Sequence, residues 1–426
     1  MSLLGLSLAY IRARSLNAAL NLLLLGLGIG TIVLLILFSA ALEQRLTRDA
    51  RGIDLVVGAK GSPLQLILSS VYQADFPTGN ILLAEAERWR QHPLVERAIP
   101  LALGDNLAGF RIVGTEHAYP EHYGVALAAG RLWQAPFEAT IGARVAADTG
   151  LGPGDRFVGS HGLGGGGAEH GTHPYTVVGV LAPSASVLDR LVLTPIESVW
   201  EVHGLTHDEP EHEAHEPEVH GAHEHDEHAA EEEAADPESA GPARPLEITS
   251  LLLRYRSPLG AVQLPRLVNQ ESALQAASPA LESARLLVLI GVGLDTVRAF
   301  GLLLVASAGL GVLIALSNAM QERRYDLAVM RTLGASRRTL LAQPLLEGLI
   351  LAASGALFGL LLGHGTAELL GRLLPEGRDM GLTGLAWRTE ELYLVGLALA
   401  VGLLAALIPA IQAYRTDIAA TLASRA

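Results

Sequence analysis

The chain reads as an α-helical membrane protein with four transmembrane helices and a large α+β domain inserted between helices 1 and 2. Three observations predict this class. Half of the 426 residues are hydrophobic and only 17% are charged, a balance far from that of soluble domains. Four long windows contain no charged residue, and the first two of them are separated by residues 43–298, too long a stretch to be a loop.

The windows run from Ser15 to Leu42, Ala299 to Met320, Gly348 to Ala367 and Leu392 to Tyr414. Each reaches the ~20 apolar residues that a helix rising about 1.5 Å per residue needs to cross a ~30 Å hydrocarbon core. Arg12 and Arg14 before the first window, and Ser39-Ala40-Ala41 near its end, have the look of a signal peptide. Its apolar run, however, exceeds the ~7–15 residues of a signal core, so the window is read as a retained span. The run Leu286–Leu294 is too short to cross and is read as a helical lead-in to the second span. In the third window Ser354, Gly355, Gly359 and Gly363 form a small-residue stripe that allows two helix backbones to approach closely.

Basic residues near span ends set orientation. Arg323, Arg324, Arg331, Arg337 and Arg338 make the loop between spans two and three the densest basic cluster, so that loop is expected in the cytoplasm. Both termini follow it inside, with Arg12, Arg14, Arg415 and Arg425, and residues 43 to about 285 fall outside. Arg45, Arg48 and Arg51 run against this rule, although Glu43 and Asp49 accompany them. The expected division is 1–46 (N-terminal segment and helix 1), 47–285 (external domain), 286–320 (lead-in and helix 2) and 321–343 (cytoplasmic segment). Helix 3 (344–370), an external loop (371–391), and helix 4 with a cytoplasmic tail (392–426) complete it.

Within the external domain, residues 52–59, 110–115, 175–181 and 190–196 are short β-branched runs bounded by Gly, Pro or Asp, as strands are. "PLQLILSSVY" and "LLAEAERWRQHPLV" have helical spacing. Two low-complexity inserts interrupt the domain, 160–173 (Gly-rich) and 201–243 (His- and acid-rich); neither has the apolar content to offset its chain entropy. The net charge of -14 is a local property: residues 201–243 hold fifteen acids and no Lys or Arg, which leaves 29 acids against 30 bases elsewhere. No basic surface of the kind nucleic acid requires remains.

Eight of the fifteen histidines (His203, His207, His212, His215, His220, His223, His225 and His228) lie in that tract among carboxylates. Pairs with two residues between them, such as His212 and His215, let two imidazoles share one ion, so the tract suits loose capture of zinc or a similar divalent metal, with a solvated acidic linker as the alternative. His161, His170 and His173 could add to it; His117 and His122, beside Glu116 and Glu121, are read as polar residues of a turn before a metal or acid/base site. The absence of Cys removes disulfides and thiolate metal sites. The only lysine is Lys60 in "VGAKGSP", so the chain has no Gly-rich loop ending in Lys and Ser or Thr to hold nucleotide phosphates. No catalytic residue and no bound cofactor of its own are expected.

The stretch "QERRYDLAVMRTLGASRRTLLAQPLLEGLILAASGALFGLLLG" (321–363) resembles the signature of the FtsX-like and MacB-like permeases, the type VII class of ABC transporter membrane subunits. The positions that carry the resemblance are Glu322, Arg323, Arg324, Leu327, Met330, Arg331, Leu333, Gly334, Ala335, Ser336 and Glu347, with Asp326 in place of the more usual Glu. "IPAIQAYRTDIAATLAS" is similar to the family's C-terminal pattern, and "GARVAADTGLGPGDRF" and "YTVVGVLAPSASVLDRLVLTPIESV" are similar to its MacB-like periplasmic core. The resemblance implies a non-catalytic permease subunit in a bacterial inner membrane. It implies as partners a separate ATPase that binds the ATP and docks on residues 321–338, a second permease copy in a homo- or heterodimer, a periplasmic adaptor or lipoprotein, and membrane lipid. The work done would be export or extraction of a lipoprotein, lipid, peptide or drug. A membrane-anchored zinc sensor or chaperone, and a transmembrane regulator of a cell-wall hydrolase, are the competing expectations. The residues themselves allow a helix whose Leu327, Met330 and Leu333 form an apolar edge for a partner, with charges on its rim, Gly334 as C-cap and Ser336 capping the next helix. Glu347 is expected at the headgroup level or in the coupling path, and Asp295 and Arg298 as a helix-surface pair.

Overall fold

The computed structural model describes residues 3–161, 173–204 and 245–415. They divide into two compact units, a helical one (1–47 and 284–426) and an inserted one (48–283). Among the described residues four helices are long and apolar enough to cross a membrane: Ser15–Asp49, Pro279–Glu322, Arg337–Leu373 and Glu390–Tyr414. The lead-in before the second span is no separate element, since that helix runs unbroken from Pro279. Asp295 and Arg298 pair on its surface at 2.8 Å.

Small residues make several close crossings in the helical unit. A Cβ added at Gly359 of span three would lie 2.7 Å from Ile29 Cβ of span one, and one at Gly363 would lie 2.7 Å from Val33. On another face of the same helix, a Cβ at Gly348 would meet Ala406 of span four at 2.6 Å. Spans one and two meet at Gly28 and Gly301 in the same manner. Such contacts let dispersion act between backbones where no hydrophobic driving force exists. The stripe expected on span three therefore joins helices of one chain, and Ser354 stands off it on the exposed side.

The inserted unit is built on one mixed sheet. Its strands are β1 (Leu55–Ala59), β2 (Ile81–Leu82), β3 (Val95–Leu107), β4 (Phe110–Thr115), β5 (Leu127–Gly130), β6 (Glu138–Ile141) and β7 (Arg156–Phe157). They continue as β8 (Ser160–His161), β9 (Tyr175–Leu181), β10 (Leu191–Thr194), β11 (Glu247–Ile248), β12 (Ser250–Tyr255) and β13 (Leu274–Ala277). The sheet order is β13-β1-β12-β3-β4-β10-β6-β9-β5, with β7 on β9, β8 on β3, and a separate β2–β11 pair. Among the described strands, only β4 with β10 and β6 with β9 run parallel. β9 alternates buried and half-buried residues, the period-two pattern of a sheet covered on one side. β3, the longest of these strands, is buried along most of its length, and the helices Leu83–Arg90 and Ile196–Val202 pack against it.

Two of the apolar clusters in the unit show how it is held. One gathers Leu55, Val57, Trp89, Leu253, Leu264 and Val268 under the helices Leu83–Arg90 and Pro258–Glu271. The other gathers Ile112, Ile141, Val145, Phe157, Tyr175 and Val192. Arg111 is buried between them and the neighbouring turn, donating to the Ser69 and Asp75 carbonyls and to Gln73. Burial pushes its guanidinium down to about 10, against the attraction of Asp75.

Candidate functional site

The Arg-rich turn after span two is a short helix, Arg324–Thr332, between two long ones. The break before it falls at Arg323, whose backbone leaves the helical region (φ -94°, ψ 9°). Its side chain turns inward. One guanidinium nitrogen donates to Glu347 Oε1 at 3.1 Å, and the group stacks over the Tyr10 ring with 3.5 Å to the centroid. Gln343, one turn before Glu347 on the same helix, donates to the same oxygen at 3.4 Å. Arg14 pairs with Glu322 beside this cluster. A cation, a carboxylate and an aromatic face thus meet where water is scarce, and each polar group is matched.

This geometry corrects one expectation: Arg323 is not on an exposed rim, since it turns inward to Glu347, which is itself only 2% exposed. The apolar edge is also divided. Leu327 is buried and Met330 packs beside it, against Met320, Leu340 and Ala413 of the chain's own spans, while Leu333 is 82% exposed. The reason is helical period: six residues of a 3.6-residue helix turn through about 600°, which leaves Leu333 on a different side from Leu327. Gly334 adopts φ +99°, a left-handed conformation that a Cβ would strain, and the Ala335 N–H closes back on the Met330 carbonyl at 2.9 Å. Ser336 Oγ accepts from the Thr339 N–H at 3.2 Å and starts the third span.

The face left open carries Glu322, Tyr325, Asp326, Leu333, Arg337 and Arg338, with Arg331 and Ala335 half-exposed. Arg324 lies in the helix backbone. Tyr10, Gln343 and Tyr325 were absent from the sequence reading. Gln343 was findable, being four residues before Glu347 and so on its face. Tyr10 joins through tertiary packing that no spacing announces.

The histidines part company. Seven of the tract's eight (His207, His212, His215, His220, His223, His225 and His228) lie outside the described residues. His203 is described and ends the helix Ile196–Val202, its Nδ1 2.8 Å from the Val199 carbonyl and its ring against Gly104, so it belongs to the folded domain. His173 stacks on Phe137, His117 Nε2 meets the Trp133 carbonyl at 2.8 Å, and His122 Nε2 meets the Arg51 carbonyl at 2.7 Å. Among the described residues no group of three His, Asp or Glu is arranged to hold a metal. At the other end of span three, His364 Nε2 faces Glu391 Oε2 at 2.9 Å and Nδ1 faces the Gly384 carbonyl at 2.7 Å, a buried pairing the sequence reading did not foresee.

Four long apolar helices, with a large mixed-sheet domain after the first and a structured basic turn after the second, define a multi-pass membrane protein of the permease class. Two family models match the chain: the FtsX-like permease C-terminal region over residues 298–418, and the MacB-like periplasmic core domain over residues 18–219. The chain belongs to the FtsX-like and MacB-like family of ABC transporter permeases, and the inserted unit is its periplasmic domain. Among solved structures it is similar to the periplasmic region of MacB from Actinobacillus actinomycetemcomitans, with 11% identity over 57% of this chain and 98% of that one, TM-score 0.33. It is also similar to the extracellular domain of the noncanonic ABC-type transporter YknZ from Gram-positive bacteria, with 11% identity over 53% of this chain and 99% of that one, TM-score 0.30. Comparison with curated proteins gave no match.

Proposed function

We propose that this chain is the membrane subunit of a complex in which a separate ATPase docks on the open face of residues 321–338. Two permeases and two ATPases would act together in a bacterial inner membrane, with the termini and the docking face in the cytoplasm. ATP-driven closure of the ATPases would move the periplasmic domains so as to export or extract an envelope substrate: a lipoprotein, lipid, peptide or drug. The observation that carries this reading is the two-sidedness of helix Arg324–Thr332. Its inner side is anchored by Leu327 and by the buried Arg323–Glu347 pair, and its outer side presents Tyr325, Asp326 and the exposed Leu333. A short helix fixed at one side and exposed at the other can transmit displacement, which a free loop cannot. An exposed leucine beside charges is also the composition of a protein contact with a polar rim.

The test is capture of the cognate ABC ATPase by detergent-solubilised permease. Leu333→Asp with Tyr325→Ala should abolish capture and ATPase stimulation while the permease remains folded, and undiminished capture would overturn the docking assignment. The tract His207–His228 is proposed to bind zinc loosely. Calorimetric titration of a chain lacking 205–244 should show fewer zinc equivalents than the full chain, and equal stoichiometry would remove the tract as the ligand source.

A further inference from the structure

The periplasmic domain holds a cleft of about 650 Å³ between the helices Leu83–Arg90 and Ile196–Val202 and the β2–β11 pair. Sites for drug-sized ligands occupy roughly 300–1,000 Å³ and combine apolar walls with a few placed polar groups. The walls here are Leu82, Leu83, Ile196, Trp200 and Leu246. Trp200 is fixed by its indole N–H, which donates to the Glu247 carbonyl at 2.7 Å.

The charged groups of the lining do not balance. They are Glu87, Glu116, Glu197 and Arg90. Arg90 donates to both oxygens of Glu116 at 2.6 and 3.0 Å, so its charge is committed to that carboxylate. Glu87 accepts from the neutral Gln91 amide at 2.8 Å and lies 3.9 Å from Arg90. Glu197 is exposed at the mouth. Among the described residues the lining therefore has two carboxylates in excess over an apolar floor.

We propose that this cleft is a binding site for cationic amphipathic ligands, an amine or guanidine carried on an apolar body. The apolar part lies on Trp200 and the leucines, and the cation sits between Glu87 and Glu197. Taking the bound molecule as cargo or effector rests on the permease function proposed above; the binding itself does not.

The test uses the full chain in lipid nanodiscs without any ATPase or nucleotide, so its outcome is independent of the docking face. Hexylguanidinium and hexanoate are titrated with saturation-transfer NMR, and empty nanodiscs give the background of partition into lipid. Hexylguanidinium should bind above that background and hexanoate should not. Glu87→Gln with Glu197→Gln should weaken hexylguanidinium about tenfold, and Glu87→Lys with Glu197→Lys should exchange the preference in favour of hexanoate. Circular dichroism confirms that the variants fold. Binding of both probes alike, a signal no larger than that of empty nanodiscs, or unchanged affinity in the Gln variant would each overturn the site.

Discussion

The periplasmic sheet and the third span of the membrane bundle differ in what they bury. In the sheet domain the largest fully buried side chains include Trp89, Tyr119, Tyr175, Leu55, Leu101, Ile112 and Ile141. In span three the buried positions include Gly348, Ala352, Gly355, Ala356, Gly359, Gly363 and Ala367, while Leu357 and Leu361 are more than half exposed. The difference follows from the solvent. In water, removing apolar area is the driving force. In lipid a leucine gains nothing by leaving the tails, and the helices associate through what brings backbones close. The bundle also buries a matched charge pair, Arg323 with Glu347, at one end of span three, and a hydrogen-bonded pair, His364 with Glu391, near the other.

The largest effect that would sharpen this contrast comes from unmatching a bundle charge. Glu347→Ala leaves Arg323 buried with only the Tyr10 face, and should cost about 3–5 kcal/mol. The double change Arg323→Met with Glu347→Leu should recover most of that stability. Unfolding of the membrane unit in mixed micelles, followed as a double-mutant cycle, measures both. A single variant as stable as the parent would mean that the pair is open to water. The double variant also separates anchoring from docking: captured ATPase with no stimulation would place Arg323 in transmission and outside the contact.

Next in size is loss of volume in the sheet. Leu101→Ala on β3 should destabilise the periplasmic domain by about 2–5 kcal/mol, read by urea unfolding. Leu361→Ala on the exposed side of span three should leave stability within about 0.5 kcal/mol. Comparable costs at the two sites would break the comparison. Adding volume reverses the order. Gly359→Val must push Ile29 aside and should cost about 1–3 kcal/mol, whereas Gly365→Ala, whose Cβ would have nothing within 4 Å, should be neutral or stabilising.

The same contrast explains what the sequence made legible. Spans were readable because a charge-free window is a sufficient physical condition for crossing, and each window lies within one of the four long helices. Strands with β-branched runs between turn residues, such as β4 and β9, were readable too. β3 was not, because "VERAIPLALGDNL" carries charges at its start and Pro100 within it, and the helices Leu83–Arg90 and Ile196–Val202 pack against it. At the coupling turn the residues were legible as a cluster, but their directions were not. Whether Arg323 points out or in depends on Glu347 and Tyr10, far away in the chain, and whether Leu333 faces the bundle depends on where the helix ends. The cleft beside Trp200 left no trace, since its lining comes from five separated segments.

The smallest expected effect concerns a histidine that the sequence placed in a turn. His122 is half-buried against Gly52, with its Nε2 on the Arg51 carbonyl. Burial is the first cause that lowers its pKa below the usual imidazole range; the Arg51 carbonyl opposes this, Arg97 and Arg254 add to it, and Asp54 opposes it. The folded state thus holds the neutral ring while the unfolded chain takes up a proton first. The stabilising contribution is present above about pH 6.5 and is lost as pH falls through that value toward the lower folded one. His122→Gln keeps a donor for the Arg51 carbonyl and cannot titrate. Between pH 7.5 and pH 5.0 the urea midpoint of the periplasmic domain should fall further in the parent than in this variant. Equal falls would show that the ring is as well solvated folded as unfolded, and a smaller fall in the parent would mean that a carboxylate such as Asp54 outweighs burial.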